Sequence, residues 1–544
     1  MNMRLSVHNT SVFVRVFFLI VIISIVGVLW HLNQNMMVTI KARGGTITEG
    51  IIGAPRFINP VLAQSQADID LTRLVFTPIL SIDRTGEVTY KLAEHIDTSP
   101  DGLTYTLHLK QGLYFEDGEV LNADDVVFTV TSIQDSLIKS PLATKWQGVE
   151  VEKIDTYTVL FKLARPFSDF LYNLELGVLP EHIWSNIDPQ EFIFSNYNSH
   201  PVGSGPYTVR HITTKETGVP SEYVLERSSE TSEEAYITKI VLTFFDNEAD
   251  LMRALVRGDI DAAYGVSASS IVDMDPERIY SATLPRVFAL FFNQESQPLL
   301  KSLRVRQAIN YAIDKQAIVD EIFAGYASPV SSPFGFARTE HEFDSERART
   351  LLEADGWDTN DQGVYTKRIN KEPVTLQFDI SIPNTDEMKL VAEHVQNDLA
   401  AVGISTTIRS YDQGNFNQNI LRPREYEAVI FGYEIEKPSD MYAFWHSSQI
   451  SDPGLNISLF NNSNVDTLLS NLRASKNPDL TNIDDAIIQE QPAVFLYSPS
   501  YIYILPTKVH GSSFSIARSS DRFDTIQDWY IRTRNVWKMF TTDS

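Results

Sequence analysis

The sequence predicts a mixed α/β protein of roughly three or four domains or lobes, set behind one N-terminal transmembrane helix. Three observations carry this. The chain has 544 residues, several times the usual domain length. An uncharged apolar run, Val16 to Trp30, lies near its start. Beyond it, apolar patterns of period two and period 3.6 alternate, with glycines at the helix ends.

The apolar run comes first. Arg4 and Arg15 precede it, and basic residues on that flank keep the N-terminus in the cytoplasm. A spanning helix needs about 17–25 residues. Residues 12–32 supply them, with Arg15 able to snorkel. A cleaved signal peptide is the competing reading. His31, Leu32, Asn33, Gln34 and Asn35 carry no small-x-small cleavage pattern. The expectation is therefore an uncleaved signal anchor, residues 12–32, with residues 1–11 cytoplasmic and the remainder exported. Residues 33–43 read as a polar linker.

Leu103 to Lys110 alternates as a half-buried strand. It leads through Gly112 and the Asp117-Gly118 turn to Asn122, which caps a helix beginning ADDVVFTV. Asp125 stands three residues on, in capping-box position. Leu251, Ala254 and Leu255 mark a helix closed by Gly258, where positive φ is wanted. Val305, Ile309, Ala312 and Ile313 mark another, and Ile318, Ile322 and Phe323 the next, stopped by Gly325. Val374, Leu376, Phe378, Ile380 and Ile382 alternate as a strand ended by Pro383. A helix with Leu390, Val391, His394, Val395 and Leu399 follows, closed by Gly403. Then Ile404, Thr406 and Ile408 alternate again. Strand, helix, strand at this spacing is a right-handed βαβ unit. Tyr426 to Tyr433, YEAVIFGY, is nearly all apolar and predicts a strand buried on both faces.

Composition excludes several functions. The 45 Lys and Arg against 70 Asp and Glu give a net charge of -25, which repels phosphate backbones and argues against nucleic acid. There is no cysteine, so disulfides, thiol nucleophiles, Fe–S clusters and cysteine-linked lipid are ruled out. No nucleophile elbow, H-E-x-x-H, P-loop or G-x-G-x-x-G occurs, so neither an enzyme nor a cofactor site is expected. The 11 histidines are scattered, with no metal-ligand pair on one helix. Asp358 to Gly363 resembles half a calcium loop, but the twelfth position is Ile369 rather than Glu; it reads as a turn, and no metal site is expected.

Five segments, in order, resemble the extracytoplasmic oligopeptide- and dipeptide-binding proteins of ABC importers, solute-binding protein family 5. They are Leu109 to Thr129, LKQGLYFEDGEVLNADDVVFT; Gly203 to Tyr207, GSGPY; Ala254 to Ala262; Val305 to Lys315, VRQAINYAIDK; and Ala348 to Trp357, ARTLLEADGW. The resemblance implies a two-lobed, three-domain periplasmic-binding-protein-like fold, type II of the peptide-binding cluster, closing over its ligand. One lobe would be 44–285 plus 506–544, with an inserted subdomain at about 76–195, and the other 286–505. The chain would cross between them near Leu284 to Asn293 and near Tyr501 to Lys508.

In relatives, a strand like Tyr426 to Tyr433 runs into a Trp-x-x-Asp element whose aspartate holds the peptide amine. Here Tyr433 takes the Trp-like place and Glu436 the Asp-like one, with Glu434 and Asp440 as further candidates. A buried ammonium needs such a partner. Tyr442, Phe444, Trp445, Tyr501 and Tyr503 are candidate pocket walls, and Arg338 and Arg422 candidate carboxylate partners. The implied function is a membrane-anchored, monomeric peptide receptor. It would hand its ligand to a permease driven by separate ATPase subunits. A same-fold receptor for a non-peptide solute or a signalling peptide is the alternative, and a membrane-tethered hydrolase a distant third.

Overall fold

A computed structural model of the chain describes residues 7–83, 86–231, 235–335, 343–473, 480–514 and 518–538. The N-terminal helix spans Val7–Met36. Its stretch Phe13–His31 is long and apolar enough to cross a membrane, and none of it packs against the rest of the protein. Residues 1–6 of the expected cytoplasmic segment lie outside the described residues.

The expected linker is not one. The helix passes directly into a strand, Met37–Ala42, paired antiparallel with Arg532–Trp537 in the register Met37 to Trp537 and Ala42 to Arg532. The Thr39 hydroxyl donates to the Asn535 side-chain amide oxygen, Oδ1, at 2.8 Å. The Lys41 ammonium lies 5.2 Å and 5.6 Å from the Tyr236 and Tyr530 ring centres. A two-stranded ribbon has no buried face, so it lacks the apolar alternation that would mark it in sequence.

One sheet runs through both lobes. In spatial order its strands are Ser405–Tyr411, Gln377–Pro383, Ala428–Glu434, Arg286–Phe292, Ala493–Ile504, Ala262–Tyr264, Thr46–Ile52, Lys239–Phe245, Pro220–Arg227 and Tyr207–Thr214. The long strand Ala493–Ile504 joins the halves. Its first residues pair with Arg286–Phe292, and its last with Ile279–Thr283 and Ala262–Tyr264. The second crossing therefore falls at Ser498 to Ser500, ahead of the expected Tyr501 to Lys508, because Tyr501 to Ile504 already belong to the first lobe's ladder. The two crossings touch: Leu284 N donates to Pro499 O at 2.9 Å, and the Ser498 hydroxyl to Leu284 O at 2.7 Å.

In the second lobe the βαβ unit is present. Gln377–Pro383 and Ser405–Tyr411 pair in parallel around the helix Asp386–Ala401, which buries Met388, Val391, Ala392, Val395 and Leu399. Leu390, read as part of that face, is 52% exposed. The expected strand from Val374 to Ile382 is two, Glu372–Thr375 and Gln377–Pro383. The first pairs with Tyr365–Ile369 in a separate three-stranded sheet. Ala428–Glu434 lies inside the main sheet, flanked on both sides.

A four-stranded sheet, Ala93–Thr98, Thr104–Leu109, Thr158–Leu163 and Val149–Asp155, lies within the span read as an inserted subdomain. The helix Ala123–Gln134 begins with the expected capping box of Asn122 and Asp125. Its core is continuous with that of the first lobe. The G-S-G-P-Y segment packs backbone to backbone on the helix Gln66–Val75. Gly205 N donates to Val75 O at 2.6 Å, and a Cβ at Gly203 or Gly205 would collide with the Val75 carbonyl.

The C-terminal return is pinned by a buried charge cluster. Arg522, wholly buried, pairs with Glu49 at 2.6 Å and Asp70 at 2.7 Å beneath the Tyr264 ring.

Candidate ligand cleft

The strand Ala428–Glu434 delivers its C-terminal end to the boundary between the lobes. There the chain continues through Ile435, Glu436 and Lys437 into one wall of a cavity of about 380 Å³. The first lobe contributes Asp83, Tyr172, Glu175 and Arg518; the second contributes Arg286, Phe334, Glu436 and Lys437. The segments Thr283 to Val287 and Ser498, where the chain crosses, also line it.

The cavity carries both signs of charge. Arg518 donates to Glu175 at 2.7 Å and also approaches Asp521 at 3.3 Å. These acids hold its guanidinium charged despite burial. Arg286 pairs with Glu434 at 2.9 Å across the two strands. Glu436 reaches Lys145 of the first lobe at 3.7 Å, with both side chains about half exposed. Burial pushes the Lys437 ammonium down from its ordinary value, against the pull of Asp440.

A second set of contacts closes one edge of the cleft. Ser439 N donates to the Asp169 carboxylate at 3.2 Å, and Ser168 N to Arg473 O at 3.1 Å. The Lys437 ammonium sits 4.9 Å from the Phe167 ring centre.

The residues singled out from sequence divide into two groups. Glu436 lines the cavity, and Glu434 and Asp440 stand beside it. Asp440 accepts from Lys437 N at 3.0 Å and is pushed above the usual carboxylate range, chiefly by burial. The aromatics lie deeper. Trp445 is wholly buried among Phe291, Tyr433 and Phe495. Tyr433 donates to Pro333 O at 2.5 Å and, with Phe444, lines a smaller second-lobe cavity of about 230 Å³. Tyr442 stacks on His446, ring centres 4.1 Å apart, under the Arg473 guanidinium. Tyr501 is buried in the first lobe and donates to Ser519 O at 3.4 Å. Tyr503 donates to Glu49 at 2.7 Å. In this arrangement Trp445, Tyr501 and Tyr503 are core side chains, and none of them lines the 380 Å³ cavity.

Arg422 stands 3.9 Å from Asp452 beside the smaller cavity; Arg338 lies outside the described residues. The calcium-like segment is a turn, with Asn360 accepting from Gln362 N at 2.9 Å and Val364 N at 3.0 Å. Sequence reasoning missed Arg286, Glu175 and Arg518, which meet only through folding. It also missed Lys437, whose place beside Glu436 was a usable signal.

Known proteins share this architecture. Residues 87–452 match the model of the bacterial extracellular solute-binding proteins, family 5. The chain belongs to that family. The oligopeptide-binding protein AppA of Bacillus subtilis is 26% identical over 515 residues, covering 90% of this chain and 92% of the relative. Among solved structures, the ABC transporter substrate-binding protein CtaP of Listeria monocytogenes aligns with a TM-score of 0.76 at 25% identity, over 90% of this chain and 99% of that one. NikA of Brucella suis, solved with Fe(III)-EDTA, aligns with a TM-score of 0.75 at 19% identity, over 89% and 99%; at that identity the likeness is one of fold.

Proposed function

We propose that this chain captures peptides in the cleft between its lobes, closes over them and delivers them to an ABC permease served by separate ATPase subunits. The N-terminal helix stays in the membrane, and the binding domain acts as a monomer on the extracytoplasmic side. Its role is binding rather than catalysis.

The carrying observation is a cavity walled by both lobes that offers Glu436 alongside Arg286 and Arg518. A peptide is a zwitterion. Its ammonium requires a carboxylate, its carboxylate a guanidinium, and its backbone amides need main-chain partners. Glu436 is our choice for the ammonium, because Arg286 holds Glu434 at 2.9 Å and Lys437 N holds Asp440 at 3.0 Å, whereas the contact of Glu436 with Lys145 is longer, 3.7 Å, and half exposed. A ligand drives closure only through its preference for the closed state. Contacts to both walls supply that preference.

The test is a titration of the Glu436→Gln variant with a free-amine peptide and its N-acetylated form. A charge-assisted bond in this half-exposed place contributes about 1.5 kcal/mol, roughly tenfold in affinity. The variant should lose that factor for the free amine and keep its affinity for the acetylated peptide. Equal loss for both forms removes Glu436 from the role. No peptide binding by the parent points to another solute, such as the metal chelate held by NikA of the same fold.

A further inference from the structure

On the outer face of the four-stranded sheet, three metal-ligating side chains converge. His95 and Asp97 alternate along Ala93–Thr98, and His108 stands opposite His95 on Thr104–Leu109. The Asp97 carboxylate lies 3.7 Å from His95 Nε2 and 3.4 Å from His108 Nε2. The two imidazoles stack, ring centres 4.2 Å apart and 12° from parallel. Among the described residues no other such group of three occurs.

We propose that His95, Asp97 and His108 form a binding site for a divalent first-row transition ion, with water completing the coordination. The distances support it. Zinc sits about 2.0–2.2 Å from imidazole nitrogen and carboxylate oxygen, so ligand atoms at a tetrahedron's corners stand about 3.4 Å apart. The Asp97 oxygen already holds that spacing to His108 and nearly holds it to His95. The imidazoles need only rotate about χ2 to aim their lone pairs at one point, and their outer-face exposure leaves them room. Beneath them Tyr105, Leu107 and Leu109 are buried, so the backbone that presents the site is fixed.

Two imidazoles and one carboxylate select zinc, nickel, cobalt or copper over magnesium and calcium, which prefer all-oxygen shells. None of the three residues lines the cleft, so the site is separate from the solute site. It escaped sequence reading because the ligands come from two strands, and strand pairing rather than helical spacing brings them together.

The test uses the full chain in detergent micelles, stripped of metal and titrated with Zn²⁺ at neutral to mildly alkaline pH, where imidazole is the ligating form. The expected result is one saturable site that His95→Ala and His108→Ala each weaken about tenfold or more. Mg²⁺ should give no such site. Co²⁺ should give a visible d–d absorption that both variants lose. Unchanged Zn²⁺ stoichiometry and an unchanged Co²⁺ band in both variants would place the metal elsewhere. Absence of any saturable site below about 1 mM would overturn the proposal outright. Circular dichroism of each variant separates lost binding from lost folding.

Discussion

Lys315 is a cation whose burial costs the fold stability. Its ammonium is buried in the second lobe, donates to the Asn310 side-chain oxygen at 2.9 Å and, among the described residues, forms no ion pair with a carboxylate. Burial pushes it down to about 7. In the unfolded chain a lysine holds its proton to about 10.4. Below pH 7 both states are protonated and the fold bears the full desolvation cost. As the pH rises from 7 towards 10, the folded state releases its proton first, and stability increases. The Lys315→Met variant should therefore be more stable than the parent near pH 6.5. Its advantage should shrink by about 3 kcal/mol at most by pH 9.5. Urea unfolding at three pH values measures this; an advantage independent of pH would mean that the ammonium is solvated. Such a residue is unreadable in sequence, because V-R-Q-A-I-N-Y-A-I-D-K places Lys315 just beyond the amphipathic helix, where a solvated charge is the ordinary reading. The position of Glu436 on the cavity wall was legible for the opposite reason, since its neighbours form a recognisable strand and the chain ends that strand in acids.

Elements with a period or a cap were the most legible. The Asn122 capping box and Gly258, at φ 79°, both stand where their residue types require. Gly203 and Gly205 were visible only as part of a resemblance, and the structure supplies the physical cause: the segment lies against the backbone of Val75 with no room for a Cβ. Gly205→Ala must push the helix Gln66–Val75 off its seat. We expect a loss of about 3 kcal/mol or more, the upper end of overpacking costs, read as a lowered denaturation midpoint. A loss below about 1 kcal/mol would show that the loop yields instead. The ribbon Met37–Ala42 with Arg532–Trp537 was illegible because its partner lies far along the chain, and the break at Leu376 because the alternation runs on through it while the pairing switches from the hairpin partner Tyr365–Ile369 to the parallel strand Ser405–Tyr411.

At the scale of the whole molecule, four core clusters, two in each lobe, pack on one sheet, and the lobes are joined by the touching crossings at Leu284 and Pro499. Across the cleft they meet at Asp169 and Ser439 and at Ser168 and Arg473. If these contacts belong to the closed state, peptide binding should lower the radius of gyration in small-angle scattering. Asp169→Ala should enlarge the ligand-free particle and weaken peptide binding severalfold through its closed fraction. A radius unchanged by saturating peptide and by this substitution would mean that the lobes do not swing. The two-lobed plan was legible through the resemblance. The position of the second crossing was not read, although Ser498-Pro499-Ser500 interrupts the apolar run of Ala493–Ile504 where its pairing partners change.

The ribbon also supplies a frame of reference. The helix Val7–Met36 enters the strand Met37–Ala42 without a spacer, that strand is bound to Arg532–Trp537, and both lead into the first lobe. Both ends of the described chain are therefore clamped to the same half of the molecule. A free two-lobed particle in solution opens symmetrically, with neither half at rest. With the helix held in the membrane and the cleft closing, as proposed, the first lobe would be the stator and the second the rotor. On that proposal an observer on the helix would see residues 286–498 swing like a door on a fixed jamb.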